Sequence, residues 1–226
     1  SDAHGAIVAD STDVASVERM VGSARVVLTT AGPFSKYGDP VVDACAAQGK
    51  DYVDITGETP WVKRVIDRHH DSASRSGTRI IPLCGFDSIP SDIGTLLCVR
   101  ELAEAHGQAT DRVVSSFKFS GRWNGGTVAS ALEMAESGDA RVLGDTLLLN
   151  PEDRRAQSER ARSRDVRSIK WDPLRKAWLA PFIMGPVNSR VVRRSNALEA
   201  QWGRAYGDVF TYRETLELKN KWKARA

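Results

Sequence analysis

The chain is poor in cysteine and histidine and has no long apolar run, and each shortage removes a class of function. Its three cysteines, Cys45, Cys84 and Cys98, are too few and too scattered for a disulfide framework. None of its four histidines pairs with cysteine at a metal-like spacing, so no zinc site is expected. No stretch of about 18 apolar residues occurs, so no helix should span a membrane. The opening SDAHGAIVAD carries neither a basic segment nor an apolar stretch of signal length, which leaves secretion by that route unsupported. A G-x-G-x-x-G, the turn that cradles a dinucleotide pyrophosphate, is absent. Ser88 in GFDSIP is not a G-x-S-x-G nucleophile elbow, which argues against an α/β-hydrolase triad. What is present is ordinary for a globular chain: 226 residues, 41% apolar and 27% charged. That length admits one large domain or two small ones.

Charge divides the chain. Residues 1–110 carry 10 Lys/Arg against 15 Asp/Glu, and residues 111–226 carry 22 against 14, so a net of −5 faces a net of +8. The basic residues are interleaved with acidic ones and match no nucleic-acid recognition module, so no nucleic-acid partner is expected. A basic half can attract an acidic ligand, a phosphate or a membrane surface. The densest run, Arg154 to Lys176, reads as a solvated loop or helix face, with a lid or an anionic-surface contact as the alternative.

Strand and helix alternate through residues 1–110. Residues 6–9 (AIVA) read as a strand, with Ser11 or Thr12 capping a helix that carries Val14, Val17, Met20 and Val21 and stops at Gly22. Residues 25–30 (RVVLTT) form the next strand, and after the loop AGPFSKYG, Asp39 and Pro40 open a helix in a cap-then-N1 arrangement. Gly49 suits the left-handed position past its end. DYVDI (51–55) is a strand, Thr59 and Pro60 start a helix that Gly77 ends, and TRIIPL (78–83) is a fourth strand. Ser91 or Asp92 caps a further helix through Leu102. Such alternation specifies a mostly parallel sheet. In the second half, 112–120 reads as a strand, Trp123 to Gly126 as a turn, 128–137 as a helix and 140–149 as either helix or strand. The Trp171–Asn188 stretch reads as core, a hydrophobic substrate wall or an interfacial patch. Residues 208–219 read as a late strand of an antiparallel sheet. We therefore expect an α/β domain over residues 1–110, followed by a basic second domain.

Ligands of open parallel sheets bind beyond the C-terminal ends of the strands. This selects Asp10-Ser11, Thr30 to Gly38, Thr56-Gly57-Glu58 and Cys84 to Pro90. Thr30 to Phe34 either approaches a flat or phosphorylated ligand, with Gly32 permitting close contact, or is a plain strand-to-loop turn. Asp87 reads equally as a ligand contact or as a capping acid for the amides of residues 88–92. Glu58 and Tyr37 can hydrogen-bond or move protons. One of His69 and His70 should face the core edge and the other water. Cys84 has no adjacent histidine base, and Cys45 and Cys98 read as small core residues.

Residues 26–58 (VVLTTAGPFSKYGDPVVDACAAQGKDYVDITGE) and 79–94 (RIIPLCGFDSIPSDIG) together resemble the saccharopine-dehydrogenase-like oxidoreductases, nearest the bacterial trans-acting enoyl reductase branch. FSGRWNGGTVAS (119–130), LAPFIMGPVNSRVVRRSNAL (179–198) and YGDVFTYRE (206–214) resemble later segments of that branch. The resemblance implies a piece of a larger α/β protein, without the family's glycine-rich turn, with residues 1–110 as a partial dinucleotide-binding, Rossmann-like domain and 111–226 as a partial α+β domain for substrate or dimerisation; in the whole protein NAD or NADP passes hydride to an enoyl group of an acyl or polyketide-type substrate. It implies Asp10 near the adenine; Thr30, Ala31, Gly32, Pro33 and Phe34 along the pyrophosphate and nicotinamide; Tyr37 and Gly38 continuing that wall; and Gly57, Glu58, Cys84, Gly85, Phe86 and Asp87 closing the pocket. Tyr37, Glu58 and Asp87 take the catalytic roles on this reading, with Tyr37 as proton donor. It also implies a naked edge on the strand at 25–30, and so either a homo-oligomer or a displaced segment 1–20. A cytoplasmic location is expected, with peripheral membrane contact as an open alternative. A non-catalytic dimerising scaffold and a peripheral lipid-binding protein are the competing functions.

Overall fold

The computed structural model describes residues 5–118 and 144–219. The chain is α/β, with one parallel and one mixed sheet, each accompanied by helices. It divides into two compact units, Ser1–Gly85 and Phe86–Ala226.

The first unit runs α1 (Val14–Gly22), β1 (Val26–Thr29), α2 (Phe34–Tyr37), α3 (Asp39–Gln48), β2 (Asp51–Asp54), α4 (Thr59–Ser76) and β3 (Ile80–Ile81). The three strands are parallel in the order β1-β2-β3. Helical connections make that pairing possible, because parallel neighbours need a crossover. Helix α3 contacts α1, α4 and β2. Val17, Val21, Val42, Cys45, Tyr52, Trp61, Val62 and Val65 make the core, all nearly inaccessible to solvent. Burial pushes the Cys45 thiol up to about 11. Leu28, Val53 and Ile81 lie in one register row across the sheet, and Leu28 and Ile81 are exposed. Gly49 and Gly77 end α3 and α4 at φ +64° and +74°, the left-handed conformation expected of them.

Three sequence expectations fail here for local reasons. Residues 6–9 form no strand, and Ile7 and Val8 are exposed. β1 is the sheet edge, and a short apolar run becomes a strand only where a neighbour supplies hydrogen bonds. The cap of α1 is Asp13, whose carboxylate accepts from Ala15 N at 3.1 Å, in place of Ser11 or Thr12. Asp39 lies inside α3 and Gly38 takes the cap position, because α2 runs almost directly into α3 through a right-handed Gly38.

The second unit runs α5 (Ile89–His106), β4 (Arg112–Phe117), α6 (Gln157–Arg162), β5 (Lys170–Asp172), β6 (Ala177–Pro181), α7 (Gly185–Gln201) and β7 (Thr211–Leu218). Its sheet order is β4-β7-β6-β5. β7 is antiparallel to β6 but parallel to β4, so the antiparallel sheet expected of this half is mixed. The long connection from β4 to β7 permits that parallel pairing. Helix α5 starts at Ile89 behind Ser88, not at Ser91 or Asp92, with Pro90 in the first turn. The Trp171–Asn188 stretch splits into the β5–β6 hairpin and the start of α7. Trp171 meets Trp178 edge-on at 5.5 Å, and Phe182 stacks on Phe117 at 4.8 Å. Cys98 is exposed, not a core residue, because it lies on an open face of α5 beside the exposed Leu97. Residues 144–149 form turns, neither helix nor strand, and Leu147, Leu148 and Leu149 are buried. The expected turn at Trp123 to Gly126 and helix at 128–137 lie outside the described residues.

Candidate functional site

In the first unit, the loops that follow the three parallel strands are tied into one edge. The tie begins with Glu58, just before α4. Its Oε1 accepts the amide of Phe34 at 2.7 Å and its Oε2 the amide of Ser35 at 2.8 Å. Both oxygens are thus spent on the main chain at the start of α2, and the loop after β2 is stitched to the loop after β1. Trp61 sits beneath. Its ring lies 5.7 Å from that of Phe34, and its Nε1 donates to Asp39 at 2.7 Å. A Cβ on Gly38 would come within 2.6 Å of the Trp61 ring and 2.7 Å of the Phe34 carbonyl oxygen, so only glycine fits the bend. The Arg68 guanidinium and the Trp61 indole, hydrogen-bonded to Asp39, hold its carboxyl below the usual range against the opposing effect of burial.

Asp54 joins the second loop to the third. This fully buried carboxylate at the end of β2 accepts from Tyr52 Oη at 2.9 Å, Thr56 N at 3.0 Å and Leu83 N at 2.9 Å. Burial pushes its carboxyl up, against the pull of those hydrogen bonds. Cys84 N donates to the Asp54 carbonyl at 2.8 Å, and a Cβ on Gly85 would lie 3.2 Å from Ile55 Cβ.

The structure thus brings Thr30 to Phe34, Gly57, Glu58, Cys84 and Gly85 to one sheet edge. Thr30, Ala31 and Gly32 are exposed there, Phe34 is core, and Tyr37 is 36% exposed beneath the Lys36 ammonium. Asp10 lies ahead of α1 in its own turn, accepting from Thr12 N and Oγ1. Those two bonds hold its carboxyl below the ordinary value. Phe86 and Asp87 belong to the second unit, and both are exposed. The cap position there is Ser88, whose hydroxyl donates to Asn188 at 2.9 Å. His69 bonds Asp43 at 2.7 Å and His70 faces solvent, the division expected of them.

A dinucleotide needs free amides and a glycine cradle for its phosphates. The described residues do not supply them. Glu58 already takes the amides at the start of α2, and Gly38 and Gly85 are closed off by Trp61 and Ile55. Among the described residues this edge offers no pyrophosphate cradle.

A second polar constellation, missed by sequence reasoning, lies inside the second unit between α5, α7 and β7. Ser91 Oγ donates to Glu214 Oε1 at 2.9 Å, and Asn188 Nδ2 donates to the same oxygen at 3.0 Å. Ser195 Oγ donates to Asp92 at 2.9 Å. Glu214 Oε2, Tyr212 Oη, Asp92 Oδ1 and Tyr206 Oη are buried without a partner among the described residues. The only signal was Glu214 itself, a carboxylate on the otherwise apolar face of β7.

Burial raises the Glu214 carboxyl above its ordinary value, opposed by its hydrogen bonds. A raised folded value means the native state keeps a proton that the unfolded chain has released. Its stabilising contribution is complete below an ordinary glutamate pKa of about 4.3 and is lost as pH rises through the folded value. Glu214→Gln is expected to flatten that loss. Urea midpoints measured from pH 4 to 8 read it directly, and an unchanged slope would show that the carboxyl is ionised throughout.

Comparison with known proteins gives these units a context. The chain is similar over nearly all its length to trans-acting enoyl reductases. A Mycobacterium leprae protein of that name is 39% identical over 229 residues, covering 96% of this chain and 54% of its own length. One from Mycobacterium bovis is 40% identical over 222 residues, covering 94% and 52%. A Mycobacterium tuberculosis protein with the same name as a provisional designation is 42% identical over 224 residues, again 94% and 52%. The chain therefore spans about half the length of the curated relatives it matches. No family model matches it, and no solved structure does. The similarity to enoyl reductases runs across both units. Among the described residues no helix is long and apolar enough to cross a membrane, and no cluster of His, Cys, Asp and Glu is arranged to hold a metal.

Proposed function

We propose that this chain is part of an enoyl-reducing oxidoreductase of the saccharopine-dehydrogenase-like type, acting on a lipid or polyketide-type acyl substrate. The observation that carries the reading is identity of 38–42% over nearly the whole chain to proteins named trans-acting enoyl reductase. NAD or NADP would supply the hydride in the whole enzyme. Residues 1–110 would form the cofactor side and 111–226 the substrate side. Within the first, the exposed Thr30–Gly32 segment and Tyr37 would border the reacting groups, with Tyr37 in reach of solvent as a proton donor. Glu58 would act by fixing the two loops. Asp10, Pro33, Phe34, Gly57, Cys84, Gly85, Phe86 and Asp87 keep the binding or catalytic roles that the resemblance implies. A cytoplasmic location and peripheral membrane contact belong to the same proposal, and the place of β1 as an edge strand among the described residues supports self-association by strand addition.

A segment exchange tests this. The chain replaces the matching segment of the Mycobacterium leprae enoyl reductase, and the chimera is assayed for nicotinamide-dependent reduction of an enoyl thioester. Retained reduction is expected. A folded chimera that binds the cofactor yet reduces nothing would sink the reading. The chain alone is expected to show no saturable binding of either reduced nicotinamide cofactor, because its described residues supply no phosphate cradle.

A further inference from the structure

The β5–β6 hairpin lies at one edge of the second unit's sheet, and its tip holds apolar side chains out in solvent. Leu174 is 88% exposed and Trp171 47%. Asp172 builds the turn that points Leu174 outward. Its Oδ1 accepts the amides of Leu174 and Arg175 at 2.9 and 3.0 Å, and its Oδ2 accepts Arg175 Nη1 at 2.9 Å. Arg175 Nη2 donates to the Val114 carbonyl at 3.1 Å, which fastens the turn to β4. Trp171 is braced by the Trp178 ring, 5.5 Å away and edge-on. The tip is thus a fixed protrusion with an apolar point.

Single exposed apolar residues are common on protein surfaces. Charge sets this pair apart. Between residues 166 and 176 the chain carries Arg167, Lys170, Arg175 and Lys176 against one acid, Asp172, which Arg175 already neutralises. The other three cations are exposed and have no ion pair among the described residues. An apolar point ringed by free cations matches a surface that is anionic outside and apolar within. A bilayer with anionic headgroups has that profile: leucine and tryptophan enter the interface while lysine and arginine stems carry their charges to the phosphates. A stable protein partner instead needs a broad patch of about 800 Å² with an apolar centre, and one leucine beside a half-exposed indole is far narrower than that.

We propose that the β5–β6 hairpin docks this chain on anionic lipid bilayers, with Leu174 and Trp171 entering the headgroup layer and Arg167, Lys170 and Lys176 meeting lipid phosphates. The proposal rests on the peripheral membrane contact read above, assigns that contact to one element, and is independent of enoyl reduction.

Co-sedimentation of the chain with vesicles tests it, using phosphatidylcholine alone and phosphatidylcholine mixed with phosphatidylglycerol. Binding to the mixed vesicles is expected at low ionic strength. It should fall away in about 1 M salt, where the screening length is about 3 Å. Lys170→Gln/Lys176→Gln should weaken binding about 25-fold, about fivefold for each cation. Leu174→Ser should weaken it about tenfold and leave its salt dependence unchanged, because the lost contact is apolar. All three side chains are exposed, so the variants should melt like the parent. Arg19→Gln, which removes an exposed cation of α1 in the first unit, should bind as the parent does. Binding that survives in the folded Lys170→Gln/Leu174→Ser/Lys176→Gln variant overturns the hairpin assignment and leaves membrane contact to another part of the chain. Equal binding to both kinds of vesicle overturns the requirement for anionic lipid. No binding of the parent to the mixed vesicles overturns the hairpin assignment and the membrane contact together.

Discussion

Replacing Asp165 by asparagine is expected to cost about 3–5 kcal/mol of folding stability, the usual result of removing one partner from a buried ion pair. The substitution preserves shape and removes only charge. It leaves Arg190, 1% exposed, without the carboxylate that takes both of its terminal nitrogens. It also removes the carboxylate nearest Arg193, which burial and neighbouring cations already hold down to about 10. The double variant Asp165→Asn/Arg190→Met should recover most of the loss, because an apolar side chain of similar length does not need a counter-charge. Urea denaturation of the two variants beside the parent measures both effects. A single variant that loses less than about 1 kcal/mol would show that Asp165 is compensating nothing.

Trp61→Ala should be comparably severe, at about 3–5 kcal/mol, the range for deleting a large buried aromatic. Trp61 is fully buried, packs on Phe34 and Gly38, and donates its indole N–H to Asp39. The consequence is local as well as global. The ring supports the Thr30 to Gly38 loop from below while Glu58 holds it from the side. Truncation should therefore raise amide exchange at residues 30–38 above that at β2, at denaturant levels where the variant is still folded. Uniform exchange across the unit would mean that the loop does not depend on the indole. Trp61→Phe, which keeps most of the volume and loses the hydrogen bond to Asp39, should cost less than half as much.

The parallel architecture of the first unit was legible in the chain because its signals are local and redundant. A β-branched run marks β1, prolines open α3 and α4, and Gly49 and Gly77 close them in the left-handed conformation. That residues 6–9 form no strand was not legible, because an apolar tetrapeptide does not say whether a neighbour exists to pair with it. Helix α7 was hidden for a different reason. Its sequence mixes arginines with small and β-branched residues, so an amphipathic reading fails, and the structure buries Asn188, Ser189, Arg190 and Arg193 on the packed side. Among the site residues, the edge positions followed from strand ends alone. The use to which Glu58 is put did not, since its two amide partners lie 23 and 24 residues earlier in the chain.

By itself the sequence determined most of the strands and helices of the first unit, which loops follow its strands, and which proteins the chain resembles. Only the tertiary structure decided that Glu58 and Asp54 are spent tying those loops together, that β7 pairs in both directions, and that the buried guanidiniums of Arg190 and Arg193 meet at Asp165. The physical reason is range. Propensity, capping and turn chemistry act within a few residues, whereas the worth of a charge depends on burial and on partners brought from distant parts of the chain.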